Sequence, residues 1–364
     1  MTAILVTITV IILAIAGLIF RTVNLLDASN GSYTKRATTS NKVNALLFPV
    51  FFVLLFGSIL WFSWDAGKDF LPEAASVHGK ITDEMFWLTM GVIGVVFVAT
   101  HILLFFFPFM YQYRDDRKAY FFPDNNKLEI LWTTVPAIVL ATLVFSGWKV
   151  WTDITSDAPK NAYTLEIVGK QFNWMVRYPG KDGIVGKHNF RKIDATNEMG
   201  FDFDDKANFD DFVANEIHLP KGKPVLLKIR ARDVLHSVFM PHFRVKMDAV
   251  PGMPTRFWFV PDKTTAEMRD ETGNPNFNYE MACTEVCGRN HFGMRKLIVV
   301  EEEDEYLKWF NAQQSFLAKN PDYIKMIPDA LKAEAEKQLP NAAAPAPATA
   351  ETPSAQTVKA QAAL

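Results

Sequence analysis

Four long apolar runs crowd into the first 151 of 364 residues, and they constrain the fold more than any other feature. They cover residues 2–20, 47–64, 85–111 and 130–151. Each is close to or longer than the roughly 20 residues that cross a bilayer as a helix. No positive charge precedes the first run, and its length suits a span better than the short core of a secretion signal, so it reads as a retained helix. The third run contains His101 and Pro108, and Pro136 sits near the start of the fourth. A histidine in such a run usually faces another helix and is satisfied there; His101 receives no role. The apolar residues thin out after the fourth run, so the chain reads as a membrane half followed by a water-soluble half.

The loops between the runs set the orientation. The first loop carries Arg21, Lys35, Arg36 and Lys42 against Asp27. The second has Lys68 and Lys80 against Asp65, Asp69, Glu73, Asp83 and Glu84. The third holds Arg114, Arg117, Lys118 and Lys127. Cationic loops stay in the cytoplasm, which puts the first and third loops inside. The N-terminus, the second loop and everything after Trp151 then lie outside. A net charge of -2 leaves no basic field for nucleic acid.

From Asn161 the hydrophobic period changes to two. Residues 163–168 and 172–178 alternate like strands, the second ending at the turn Pro179-Gly180. Residues 216–219, 225–229, 237–240, 256–260, 279–283 and 296–301 read as further short strands between turns such as Pro251-Gly252. Short strands with regular turns predict a Greek-key sandwich or barrel. Residues 181–212 are polar and hold Asp194, Glu198, Asp202, Asp204, Asp205, Asp210 and Asp211. Such a run predicts a solvated loop that doubles as a docking surface. Residues 305–317 read as an amphipathic helix and 328–339 as a weaker one; 340–364 are Ala/Pro-rich and read as a flexible tail.

The chemistry concentrates in one stretch, Cys283-Thr284-Glu285-Val286-Cys287-Gly288-Arg289-Asn290-His291-Phe292-Gly293-Met294, which holds both cysteines of the chain. Its spacing, Cys-x3-Cys-x3-His-x2-Met, fits neither zinc nor covalent haem. Thiolate, imidazole and a weak thioether together suit copper in electron transfer. A mononuclear blue-copper site needs one cysteine; a second, four residues on, lets two sulfurs bridge two coppers. A disulfide is the alternative, since exported cysteine pairs often bond. His291, Met294 and the upstream His236 count against it.

This stretch resembles the binuclear copper (CuA) loop of cytochrome c oxidase subunit 2, and the resemblance extends over most of residues 85–310. Asp233-Val234-Leu235-His236-Ser237 and Lys246-Met247-Asp248-Ala249-Val250-Pro251-Gly252 match the family pattern too. The resemblance implies a membrane anchor followed by an all-β, cupredoxin-like domain. It assigns Cys283 and Cys287 as bridges between two coppers, His236 and Met294 to one copper, and His291 and the backbone carbonyl of Glu285 to the other. It also sends the Glu285 side chain to a magnesium ion shared with subunit 1. Leu128-Glu129-Ile130-Leu131-Trp132 resembles the start of the family's second helix, which implies that Glu129 sits at a proton-path entrance.

The chain departs from the family in two places. The family subunit has two membrane helices, matching the third and fourth runs; the first two runs are extra. The family segment Gly-x-Gln-Trp-x-Trp is here Gly169-Lys170-Gln171-Phe172-Asn173-Trp174, so Phe172 replaces the tryptophan that receives electrons. Phe172 and Trp174 are the electron-entry candidates, and the replacement points to a donor held in a larger respiratory assembly. No Cys-x2-Cys-His occurs, so no covalent haem is expected.

The expected organisation is an extra two-helix region (1–84), a helical hairpin (85–152), a CuA domain (153–318) and a weakly helical, then flexible, tail (319–364). The expected role is subunit 2 of a bacterial inner-membrane oxidase with its copper domain on the periplasmic face. It would work with subunits 1 and 3 and a c-type cytochrome donor, relaying electrons to haem for oxygen reduction coupled to proton pumping. The alternative is a CuA relay subunit of a nitric oxide reductase.

Overall fold

The computed structural model describes residues 2–29, 39–67 and 70–339. Lys35 and Arg36 of the first loop, Lys68 and Asp69 of the second, and the 340–364 tail lie outside them.

Among the described residues four helices precede the first strand: α1 (Thr2–Ser29), α2 (Thr39–Ala66), α3 (Val77–Met110) and α4 (Asn126–Thr155). At about 1.5 Å rise per residue, 28 residues exceed the roughly 30 Å hydrocarbon core of a bilayer. Among the described residues α2, α3 and α4 are long and apolar enough to cross it, and they form a membrane anchor. α1 is apolar from Ile11 to Leu26. Aromatic side chains join α2 to α3: Phe52 lies 5.5 Å from Phe106, and Phe56 lies 5.5 Å from Phe97. His101 stacks on Phe105 in that cluster and bonds the Phe97 carbonyl at 2.7 Å, so its polarity is met locally.

Ten strands follow: β1 (Tyr163–Lys170), β2 (Asn173–Tyr178), β3 (Phe212–Ala214), β4 (Ile217–Pro220), β5 (Val225–Ala231), β6 (His236–Met240), β7 (Val245–Ala249), β8 (Thr255–Phe259), β9 (Tyr279–Cys283) and β10 (Arg295–Glu301). They form two five-stranded sheets, ordered β3-β2-β1-β5-β8 and β4-β10-β9-β6-β7. The pairs β1/β5 and β4/β10 are parallel and the others antiparallel. The all-β, cupredoxin-like expectation holds. Inward side chains of both sheets, among them Leu165, Trp174, Leu227, Val238, Met281 and Ile298, make the main core.

The sequence reading missed β3, β7 and helix α5 (Thr265–Thr272). α5 is short and polar, so no apolar stripe reveals it; a capping box between Thr264 and Glu267 starts it. The expected helix at 305–317 is two, α6 (Glu303–Asn311) and α7 (Phe316–Lys319), and the weaker one is α8 (Asp329–Ala335).

Residues 181–211 are not the solvated loop that their charge predicts. Met199, Phe201, Phe203 and Phe209 are buried in a second apolar cluster with Val168 of β1, Met175 of β2, and Phe316, Leu317 and Ile327. β1 and β2 are therefore covered on both faces, which explains their nearly continuous burial. Most of the carboxylates are bonded within the chain, although Asp194 and Asp204 are exposed. Asp211 is fully buried against Arg177; Asp202 and Asp204 hold Lys192, each at 2.6 Å; Glu198 pairs with Lys170.

The stretch just before α3 belongs to the same compact unit as the β domain, which among the described residues comprises 71–89 and the chain from Val135 on. Ala75 is fully buried; its N–H donates to the His242 carbonyl (2.7 Å), and its own carbonyl accepts from the Asp262 N–H (3.1 Å). The Arg244 guanidinium grips Asp83 through two bonds of 2.8 Å.

Candidate metal centre

Strand pairing brings the distant candidate His236 to the loop. β6 begins at His236 and β9 ends at Cys283; Val238 and Cys283 are register partners in the antiparallel ladder. Residues 284–294 then return to β10, where Arg295 pairs with Ala282. The loop thus closes between adjacent strands, and its two ends are fixed by the sheet. Of the six candidates four are buried: His236, Cys283, Cys287 and Met294. His291 and Glu285 are half-buried.

The donor atoms converge. Those of His236, Cys283 and Cys287 all lie within 4.8 Å of one another. Cys283 Sγ is 3.9 Å from His236 Nδ1 and 3.2 Å from the Glu285 carbonyl oxygen. Cys287 Sγ is 3.6 Å from His291 Nδ1 and 3.3 Å from Met294 Sδ. Both cysteines are free thiols in this structure. Burial, then the neighbouring Cys283, pushes the Cys287 thiol up to about 11. A thiol so placed keeps its proton at neutral pH until a metal displaces it. Two thiols, two imidazoles, a thioether and one backbone carbonyl converge in a donor set that fits copper.

Several supporting residues were not assigned from sequence. Asp233 Oδ1 lies 2.8 Å from His236 Nε2, and its carboxylate also accepts from the N–H groups of Gln171 and Val234, both at 2.7 Å. Burial raises this carboxyl, but those bonds outweigh it and hold the group below its usual range. A carboxylate only accepts, so Nε2 carries the proton and Nδ1 keeps its lone pair for the metal side. The Asp-x2-His spacing is the one sequence signal that points to it. The Gln171 side chain donates to the Cys287 carbonyl at 2.5 Å. Two glycines permit close approach: a Cβ on Gly169 would stand 2.7 Å from the His236 ring, and one on Gly288, at φ +136°, would stand 2.9 Å from Phe172.

The electron-entry candidates occupy different depths. Trp174 is fully buried, its ring 5.8 Å from that of His236 and its Nε1–H donating to the Met294 carbonyl at 3.3 Å. Phe172 is half-buried above Gly288. Around the loop Val286 and Phe292 are each 81% exposed, a conspicuous apolar surface beside a polar motif. Glu129 is exposed in the first turn of α4, where an acid also favours the helix dipole.

Comparison with known proteins agrees with this geometry. The periplasmic domain of cytochrome c oxidase subunit II matches residues 163–302, and the transmembrane domain of the same subunit matches residues 63–150. The chain belongs to the cytochrome c oxidase subunit II family. The alternative cytochrome c oxidase subunit 2 of Bradyrhizobium diazoefficiens is 36% identical over 247 residues, covering 66% of this chain and 83% of that protein. Cytochrome c oxidase subunit 2 of Thermostichus vulcanus is 25% identical, over 67% and 79% of the two chains. The probable cytochrome c oxidase subunit 2 of Rickettsia bellii is 27% identical, over 75% and 94%. Membership of the subunit II family makes this chain a membrane-anchored subunit of a haem–copper oxidase, and it implies a CuA centre, which the donor set fits.

Proposed function

We propose that this chain is the electron-entry subunit of a cytochrome c oxidase, receiving electrons from a c-type cytochrome on the periplasmic side and delivering them toward haem in subunit 1. The convergence of His236, Cys283, Glu285, Cys287, His291 and Met294 carries this reading. Cys283 and Cys287 would be shared by two coppers, with His236 and Met294 holding one and His291 and the Glu285 carbonyl the other. Two coppers held there supply one-electron relay with little change in geometry. Asp233 orients His236, and the two strand ends fix the loop so that the donors are pre-placed.

Phe172, with the exposed Val286 and Phe292, offers the apolar contact for a haem edge, and Trp174 lies beneath it against the ligands. With so many acids of 194–211 engaged internally, electrostatic steering there is weaker than the charge count alone implies. Further parts of this reading are a proton entrance at Glu129, magnesium at the Glu285 carboxylate shared with subunit 1, contact with subunit 3, and α1 as a fourth span. The copper domain is taken to include the 71–89 segment and to run to Leu339, because both pack into its cores.

The test is metal content and electron paramagnetic resonance of the purified complex. Two coppers per chain with a delocalised mixed-valence signal are expected, lost on Cys283→Ser or Cys287→Ser. One copper with an ordinary blue spectrum refutes the binuclear assignment. Turnover of nitric oxide in place of oxygen by the same complex refutes the oxidase assignment.

A further inference from the structure

We infer that the groove between the start of α2 and the end of α3 binds a membrane phospholipid with a zwitterionic phosphoethanolamine headgroup. The groove is lined by Lys42 and Leu46 of α2, by Phe109 of α3, and by Tyr113, Arg114, Asp115 and Asp116 just beyond it, and measures about 620 Å³. That is within the range of roughly 300–1,000 Å³ typical of small-molecule sites. The proposal rests on α2 and α3 crossing a bilayer, and is independent of the copper reading.

Two observations select the ligand. The first is the gradation of polarity. Leu46 lies one helical turn deeper than Lys42, and Phe109 lies in the last turn of α3 before the chain leaves the helix toward Tyr113, so an apolar floor leads into the membrane beneath a charged rim. Further in, Phe105 packs on Phe48 (6.2 Å) and Phe51 (5.5 Å), which closes the α2/α3 contact below the groove. At the rim the Asn41 side chain reaches the Tyr113 carbonyl (3.4 Å) and links the two elements. This arrangement suits an acyl chain below and a polar headgroup above.

The second is the balance of charge. Lys42, Arg114, Asp115 and Asp116 are all exposed, and among the described residues none takes part in an ion pair, whereas Lys80 of α3 and Lys192 and Arg244 of the β domain are paired. Two free cations suit a phosphate; two free carboxylates suit an ammonium group. A purely anionic lipid would leave the carboxylates facing its phosphate, which like-charge repulsion penalises. The dipoles of the helix ends add the same signs: the start of α2 favours the phosphate and the end of α3 the ammonium.

The test uses the intact purified oxidase, with the copper spectrum and haem content as checks of assembly. After detergent delipidation the complex is titrated with phosphatidylethanolamine or phosphatidylglycerol and bound lipid is counted by native mass spectrometry. The wild-type complex should hold one more phosphatidylethanolamine than K42E/R114E, whose affinity falls by about tenfold or more for loss of two charge-assisted bonds. D115N/D116N should retain binding but lose the preference over phosphatidylglycerol. Equal retention by wild type and K42E/R114E overturns the proposal, as does a wild-type preference for phosphatidylglycerol or a groove occupied by another subunit. A normal copper signal in a complex that fails this test separates its failure from that of the relay reading.

Discussion

Replacing Arg177 by methionine should destabilise the β domain far more than an ordinary substitution. Arg177 is fully buried on β2. Its Nε donates to Asp211 at 2.8 Å, and its Nη2 donates to the Gly186 carbonyl at 2.8 Å as well as to Asn208 and Asp211. The guanidinium also lies 4.3 Å from the centre of the Phe201 ring. These contacts fasten both ends of the 181–211 excursion to the sheet. Methionine fills much of the space but leaves Asp211, also fully buried, without its counter-ion. Breaking a buried pair from one side costs about 3–5 kcal/mol. For a unit of this size that converts to a fall in melting temperature of roughly 6–20 °C. Burial pushes the Asp211 carboxyl up to about 6 even with Arg177 pulling it down; without Arg177 it rises further. A raised carboxyl pKa means that the folded state holds the proton, so the variant loses stability relative to wild type as pH rises above about 6. Scanning calorimetry of the detergent-solubilised chain at pH 5.5 and pH 8 measures both effects, and proteolysis within 181–211 reports the local loosening. The double variant R177M/D211L should recover much of the loss, because it removes both charges. A drop of less than about 1 kcal/mol in R177M, the value of a solvent-exposed pair, refutes the reasoning.

Asp233→Ala should weaken metal retention by about 10–100-fold, since the orienting partner of His236 is lost; chelator competition measures it, and wild-type retention rejects the role. Because the Cys287 thiol sits near 11, loading should release protons and its apparent affinity should climb as pH rises across the neutral range; a pH-independent affinity contradicts this. In single-turnover electron injection at low and high salt, Phe172→Ala should slow entry by loosening docking, and Trp174→Phe should slow it if the path runs beneath Phe172; unchanged rates in both move the entry point elsewhere. Glu129→Gln should slow proton uptake with copper spectra unchanged, and normal uptake reduces Glu129 to a helix-end charge.

The division into an apolar helical half and a β half was legible because each rests on a local pattern: uninterrupted apolar runs, or alternation with period two. The loop's candidate donors were legible for the same reason, since Cys283, Cys287, His291 and Met294 lie within one turn-bounded stretch. His236 was placed by likeness to a family, but what carries it to the site is the β6/β9 ladder, which joins residues 47 positions apart. Asp233 became visible only with that placement. The stretch 181–211 misled because charge predicts exposure only when no counter-charge waits inside. Arg177 on β2 supplies one, and Phe201, Phe203 and Phe209 find a partner surface in α7, more than a hundred residues later. Such burial depends on which distant segments meet, a property of the packed chain that no local period records.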